Sequence, residues 1–180
     1  EARNLARFVQ FAVAASREAV QQAGLDLKAV DQKRFGVFIG SGIGSMNTME
    51  TEHNKLLNRG PGRVSPFLIP KLIINEAAGQ VSIDLGAKNC ALCVATACAT
   101  GTNAIGDAFR ILQYGDADIM IAGGTENATT PLSVAGFAAL KALSTRNDAP
   151  EKASRPFDAN RDGFIMGEGC GVLLMETLEH

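Results

Sequence analysis

Between Asn89 and Ala122 the chain changes its hydrophobic period twice, and this alternation restricts the fold more than any other feature. Asn89 to Ala95 has strand character. Ala99 to Gln113 follows with helical spacing and breaks at Tyr114-Gly115-Asp116. Asp118-Ile119-Met120-Ile121-Ala122 is then a second apolar run, ahead of Gly123-Gly124. Strand, helix and strand within roughly thirty residues form a βαβ unit, which requires parallel strands and a right-handed crossover. Phe35-Gly36-Val37-Phe38-Ile39, set between Lys33-Arg34 and Gly40, reads as another buried strand, and Cys170 to Glu176 as a final one.

Helical signals fill the intervals. Leu5, Phe8, Val9, Ala12, Val13, Ala19 and Val20 recur at three- and four-residue spacing, with Gly24 as the stop. Met46 to Leu57 has the composition of a polar helix, and Leu72 to Ala78 that of a short one. Asn58 to Pro66 is loop by its Gly and Pro content, and Ser144 to Asp162 is polar loop. The fold class is α/β, in one domain. With 180 residues, 46% of them apolar, the chain is long enough to bury a core.

Charge excludes some functions. A net charge of −2 supplies no field to recruit nucleic acid or an anionic membrane, and no apolar run approaches the ~20 residues of a membrane span. The first residues lack the layout of a secretory signal. Three of the four cysteines (Cys90, Cys93 and Cys98) crowd into one apolar stretch, with Cys170 far away, so reduced thiols and a cytoplasmic location are expected.

Cys98 stands where an apolar run gives way to a helix, in Val94-Ala95-Thr96-Ala97-Cys98-Ala99-Thr100-Gly101. A thiol at a helix start faces unpaired N–H groups and the positive end of the dipole, which favours the thiolate. Small neighbours leave room for an acyl carbonyl. A free cysteine is also a common small buried hydrophobe, and position alone leaves both readings open.

Other motifs fail on spacing. Cys90-Ala91-Leu92-Cys93 is a zinc half-site without a second ligand pair, since the only histidines are His53 and His180. Gly40-Ser41-Gly42-Ile43-Gly44-Ser45 has Ser45 where a dinucleotide loop needs glycine, and no acidic residue lies between Arg59 and Pro66. It reads instead as a tight loop whose backbone approaches something closely. Asp158-Ala159-Asn160-Arg161-Asp162-Gly163 opens like a calcium loop, but Gly169 occupies the position of the bidentate Glu. Turn hydrogen bonds are the expected role of its Asp and Asn. Asn127-Ala128-Thr129 is a sequon without other signs of secretion.

Taken in order, several segments resemble the β-ketoacyl-acyl-carrier-protein synthases, most closely the type II elongating enzymes. They are Gly40-Ser41-Gly42-Ile43-Gly44, Ser65-Pro66-Phe67, Thr96-Ala97-Cys98-Ala99-Thr100-Gly101, Ala122-Gly123-Gly124-Thr125-Glu126, Ala142-Leu143-Ser144-Thr145-Arg146-Asn147, Ser154-Arg155-Pro156-Phe157-Asp158 and Arg161-Asp162-Gly163-Phe164. The resemblance implies a thiolase-like fold whose halves, each with a mostly parallel five-stranded sheet, stack as α-β-α-β-α layers. Residues 1–180 would be one incomplete half, without the family's opening strand and its second half.

By the same resemblance, Cys98 takes an acyl chain from acyl carrier protein, and its own N–H is one oxyanion donor. Malonyl carrier protein then loses CO₂ and its carbanion attacks the thioester, giving a 3-oxoacyl product. Ile43 and Phe137 match the acyl tunnel, and Leu68 and Ile69 match positions reaching across a homodimer. Arg63, Lys141 and Arg3 match basic positions that meet the acidic carrier protein; a solvated surface charge is the plain alternative for each. No tightly held cofactor is implied, because the acyl group travels on a phosphopantetheine arm. The His-Gly-Thr, Lys-Ser-x-x-Gly-His and Gly-Phe-Gly-Gly motifs of complete synthases are not in these 180 residues, so the segment alone is expected to be inactive in condensation. A polyketide ketosynthase domain and a non-catalytic fragment are the alternative readings.

Overall fold

The first helix is built by its apolar stripe. In the computed structural model, which describes residues 4–180, α1 spans Arg7–Ala23 and buries Phe8, Val9, Ala12, Ser16 and Val20 along one face. Gly24, at φ 66°, ends it: its left-handed conformation lets N–H groups turn back onto the carbonyls of Val20 and Gln21. β1 (Phe35–Gly40) is buried at every position. The polar helix α2 runs Met46–Arg59, capped by Ser45, whose Oγ accepts from the Thr48 N–H at 3.3 Å.

Four strands form the sheet in the order β2-β1-β3-β4, with β2 at Ala91–Leu92, β3 at Ile119–Glu126 and β4 at Gly169–Glu176. β2, β1 and β3 are parallel, whereas β4 runs antiparallel to β3 over eight residue pairs, from Ile119↔Glu176 to Glu126↔Gly169. The sheet is therefore mixed, and the described residues contribute four strands of the five that the resemblance implies. The βαβ unit is present with a modification: its two strands, β2 and β3, are separated in the sheet by β1.

Strand alternation divides the core into two faces. Phe35, Val37, Ile39, Ile119 and Ile121 pack with Phe8, Val9 and Ala12 of α1 and with Ala77, Ala78, Val81 and Leu85 of α4 (Glu76–Leu85). Phe38, Met120 and Ala122 face the other way, against Ala104, Ala108 and Leu112 of α5 (Thr100–Gln113). Full burial of each large side chain among these contributes about 1.5–3 kcal/mol. The result is helix, sheet, helix.

Three expectations shift. The helix read at Leu72 to Ala78 is two: α3 (Leu68–Leu72) ends as the chain extends at Ile73, and α4 begins only at Glu76. The strand read at Asn89 to Ala95 pairs over two residues, because the chain beyond Leu92 leaves the ladder toward the turn that holds Cys98. β3 extends through Gly123-Gly124 to Glu126, where the sequence had a strand end, because both glycines pair with β1 and β4. A further helix, α6 (Pro131–Ala139), is capped by Thr130 with Pro131 at its first turn.

Candidate active site

The parallel strands β1 and β3 and the start of β4 reach one edge of the sheet with glycine on each. Gly40 pairs with Gly124, and Gly124 with Gly171, so three glycines lie in register across three strands. Their main chain floors a cleft of about 320 Å³, closed further by Ser41, Gly42, Ala97, Cys98, Gly101 and Glu126. Clefts of open α/β sheets form at the carboxyl ends of parallel strands, as here.

Gly40 and Gly124 are required by what stands over them, whereas a Cβ at Gly171 would meet nothing within 4 Å. A Cβ at Gly40 would lie 2.3 Å from Thr100 Cγ2, and one at Gly124 would lie 3.1 Å from the Cα of Gly101. The first turn of α5 thus rests directly on the sheet.

Cys98 occupies the 3-10 turn Ala97–Ala99 immediately before α5 and is exposed. Its predecessor Ala97 has φ 51°, a left-handed conformation that costs an L residue about 1–2 kcal/mol. The buried Thr100 holds this elbow: its Oγ1 accepts from the Thr96 N–H at 2.9 Å and donates to the Ala97 carbonyl at 2.7 Å. Thr96 Oγ1 in turn donates to Asn103 Oδ1 at 2.7 Å. The turn projects the thiol over the cleft, at the positive end of a 14-residue helix.

The remaining thiols are partly buried, and burial pushes the pKa of Cys90, Cys93 and Cys170 up, away from the nucleophilic form.

The glycine-rich loop after β1 closes around a carboxylate. Glu126, the last residue of β3, accepts from the Gly42 N–H at 2.8 Å and the Ile43 N–H at 3.1 Å through Oε2. Through Oε1 it accepts from Ser41 Oγ at 3.0 Å and the Gly44 N–H at 3.2 Å. Consecutive backbone N–H groups make an anion-binding nest, and here the protein supplies the anion. A Cβ at Gly42 would lie 2.9 Å from Oε2, and Gly44 has φ 76°. The close approach expected of this loop is therefore to Glu126.

Of the other expected site residues, none lines the Cys98 cleft. Ile43 is half-buried on the loop beside it. Phe137, on α6, packs edge-on against Phe164 with ring centroids 5.2 Å apart. Leu68 and Ile69 open α3, Ile69 largely exposed. Arg63 is exposed in the turn after α2, and Lys141 follows α6 at φ 55°, lining a groove with Arg155, Phe157, Arg161 and Phe164. Arg3 lies outside the described residues. In the calcium-like loop, Asp158 Oδ1 accepts from the Asn160 N–H at 2.7 Å, and Asp162 accepts from Ser144, Thr145 and Arg155. The first is the turn bond expected of the loop, whereas Asp162 ties it to the distant Ser144-Thr145 segment and to Arg155.

Glu126 and Thr100 carry no role in the sequence reading. Glu126 reaches donors more than eighty residues away, so only its place at the end of a strand beside a glycine loop hints at it.

Mixed sheet, elbow and glycine-floored cleft together define a thiolase-like α/β unit. The chain belongs to the beta-ketoacyl synthase family, matching the model of its N-terminal domain across residues 1–180. It is 58% identical over 179 residues to the 3-oxoacyl-[acyl-carrier-protein] synthase 2 of Staphylococcus aureus, covering 99% of this chain and 44% of that protein. It is 54% identical to the enzyme of the same name from Synechocystis, covering 43% of it. Among solved structures, a ketosynthase bound to a hexaketide and in complex with its type II polyketide acyl-carrier protein superimposes with a TM-score of 0.92 at 36% identity, over 96% of this chain and 44% of that one. A beta-ketoacyl synthase from Burkholderia phymatum gives 0.87 at 35%, over 99% of this chain and 44% of that one. The chain thus spans less than half the length of these relatives.

Proposed function

We propose that this chain is the nucleophile-bearing half of a 3-oxoacyl-acyl-carrier-protein synthase of fatty acid synthesis. One observation carries the reading: Cys98 is the exposed thiol, raised on a turn at a helix start over a cleft built from backbone. Its sulfur attacks the carbonyl of an acyl thioester, the acyl group moves to Cys98, and the carrier thiol leaves with a proton. With the second half of the protein in place, a malonyl thioester loses CO₂. The resulting carbanion attacks the Cys98 thioester, forming a carbon–carbon bond and freeing the thiol.

In this reading Ile43 and Phe137 bound the acyl chain, while Leu68 and Ile69 reach a second copy of the protein. Arg63, Lys141 and Arg3 receive an acidic acyl carrier protein in the cytoplasm, and no resident cofactor takes part. The 58% identity to a 3-oxoacyl-[acyl-carrier-protein] synthase 2, against 36% to the polyketide ketosynthase, favours the fatty acid substrate over the polyketide one.

The test is thiol labelling in the full-length protein. Iodoacetamide is expected to alkylate Cys98 before Cys90, Cys93 and Cys170, and to block acylation in proportion. Equal labelling of the four thiols, or acylation that survives Cys98→Ala, would refute the assignment.

A further inference from the structure

We infer that Glu126 is a positioning residue for acyl-chain selection: its carboxylate fixes the 41–44 loop, and with it Ile43, beside the Cys98 cleft. The inference rests on the acyl-transfer reading above. Four donors converge on this one side chain. Among the described residues, every hydrogen bond that the Ser41 hydroxyl and the N–H groups of Gly42, Ile43 and Gly44 make outside the loop ends on it. Charge-assisted bonds of this kind are about twice as strong as neutral ones.

The far end of the loop has a second support. Gly44 is seated so closely on the Leu72 carbonyl that a Cβ there would lie 2.7 Å from its oxygen. Loss of the carboxylate therefore frees the end formed by Ser41 and Gly42, which is the end that lines the cleft with Cys98. Ile43 hangs between the two supports. While Glu126 holds both carboxylate oxygens against the loop, the branched wall that Ile43 presents has one position. Once the clasp opens, that wall yields to a longer chain.

Glu126→Gln isolates the effect at constant size. Whichever way the amide turns, its NH₂ faces at least one backbone N–H that it cannot accept, because each carboxylate oxygen takes a bond from a main-chain donor. Gly42→Ala is an independent second variant that keeps the charge: its Cβ would lie 2.9 Å from Oε2 and displace the carboxylate.

The experiment measures kcat/KM for acylation of Cys98 in the full-length protein, using octanoyl and palmitoyl thioesters of acyl carrier protein. The palmitoyl-to-octanoyl ratio is expected to rise about fivefold in Glu126→Gln and in the same direction in Gly42→Ala, within the range a hydrophobic pocket discriminates. If Glu126→Gln fails to fold, the Gly42→Ala ratio decides. A ratio unchanged or lowered, with both rates falling together, overturns the inference and leaves Glu126 a structural residue. Ile43→Ala separates the levels. If it shifts the ratio while the other two variants do not, only the Glu126 inference fails. If it shifts nothing, the tunnel assignment of Ile43 falls and takes this inference with it.

Discussion

Replacing Thr100 with valine tests whether the elbow is held by one hydroxyl. The side chain keeps its shape and its burial, so the change removes only the bond accepted from the Thr96 N–H (2.9 Å) and the bond given to the Ala97 carbonyl (2.7 Å). Each is worth about 0.5–1.5 kcal/mol net, and the Thr96 N–H is left orphaned in a half-buried place, so a loss of about 2–3 kcal/mol is expected. Thr100→Ser is the control. It keeps both bonds and loses the Cγ2 methyl that touches Gly40, at about 0.8 kcal/mol. Urea denaturation of the full-length protein should place the serine variant nearer to wild type than the valine variant. The same pair should differ in function, because Ala97 stays at φ 51° only while its surroundings hold it there. Displacement of a nucleophile by 1 Å costs up to about a hundredfold, so octanoyl transfer to Cys98 should drop at least about tenfold in the valine variant and little in the serine one. A valine variant within about 0.5 kcal/mol of wild type, with undiminished acylation, would refute the clamp.

Two other perturbations probe the scaffold. Ser16 is fully buried on α1 and its Oγ has no hydrogen-bond partner among the described residues, so Ser16→Ala should be neutral or stabilising by up to about 1 kcal/mol. A loss above that, measured by denaturant midpoint, would mean the hydroxyl is satisfied. Arg34 bonds the Asp118 carboxylate and holds its pKa below the ordinary carboxylate range. A folded-state pKa below the unfolded one gives stability that is present above the unfolded pKa and disappears as pH falls through the folded value. Wild type should therefore exceed Asp118→Asn in stability near neutrality, and the gap should close as pH falls below the ordinary Asp value of about 4. A gap that stays constant below that value would exclude the linkage.

Much of the scaffold is legible in the chain because it is local. The stripe from Phe8 to Val20 and the stop at Gly24 define α1, and the apolar runs at Phe35 and Ile119 define the central strands. Glycine misleads where its partner is distant. Gly123 and Gly124 read as a strand end, yet they continue β3 because Val172 and Gly171 of β4 and Ile39 and Gly40 of β1 lie opposite. Gly79 dilutes the pattern of α4, whose buried side chains Ala77, Ala78, Val81 and Leu85 only become a stripe against α1. In α6 and its C-cap, exposed Leu132, Val134 and Leu140 leave no polar face to mark a helix, although Thr130-Pro131 is a start signal. The site divides in the same way. Cys98 announces itself by its junction, whereas Glu126 and Thr100 act through bonds that exist only once the loop and elbow are folded.

The row formed by Gly40, Gly124 and Gly171 bears on how such a centre can diversify. The start of α5 is seated on the sheet at Gly40 and Gly124 and its elbow is tied by Thr100, so the residues that aim Cys98 are separate from those proposed to measure the acyl group. On the proposed reading, exchanging Ile43 or Phe137 would retune which chains fit without re-aiming Cys98. The same economy leaves no slack beneath the elbow: any side chain at position 40 or 124 would lift the start of α5 and carry the thiol with it. On that reading, substrate range is free to drift around a thiol whose seat is not.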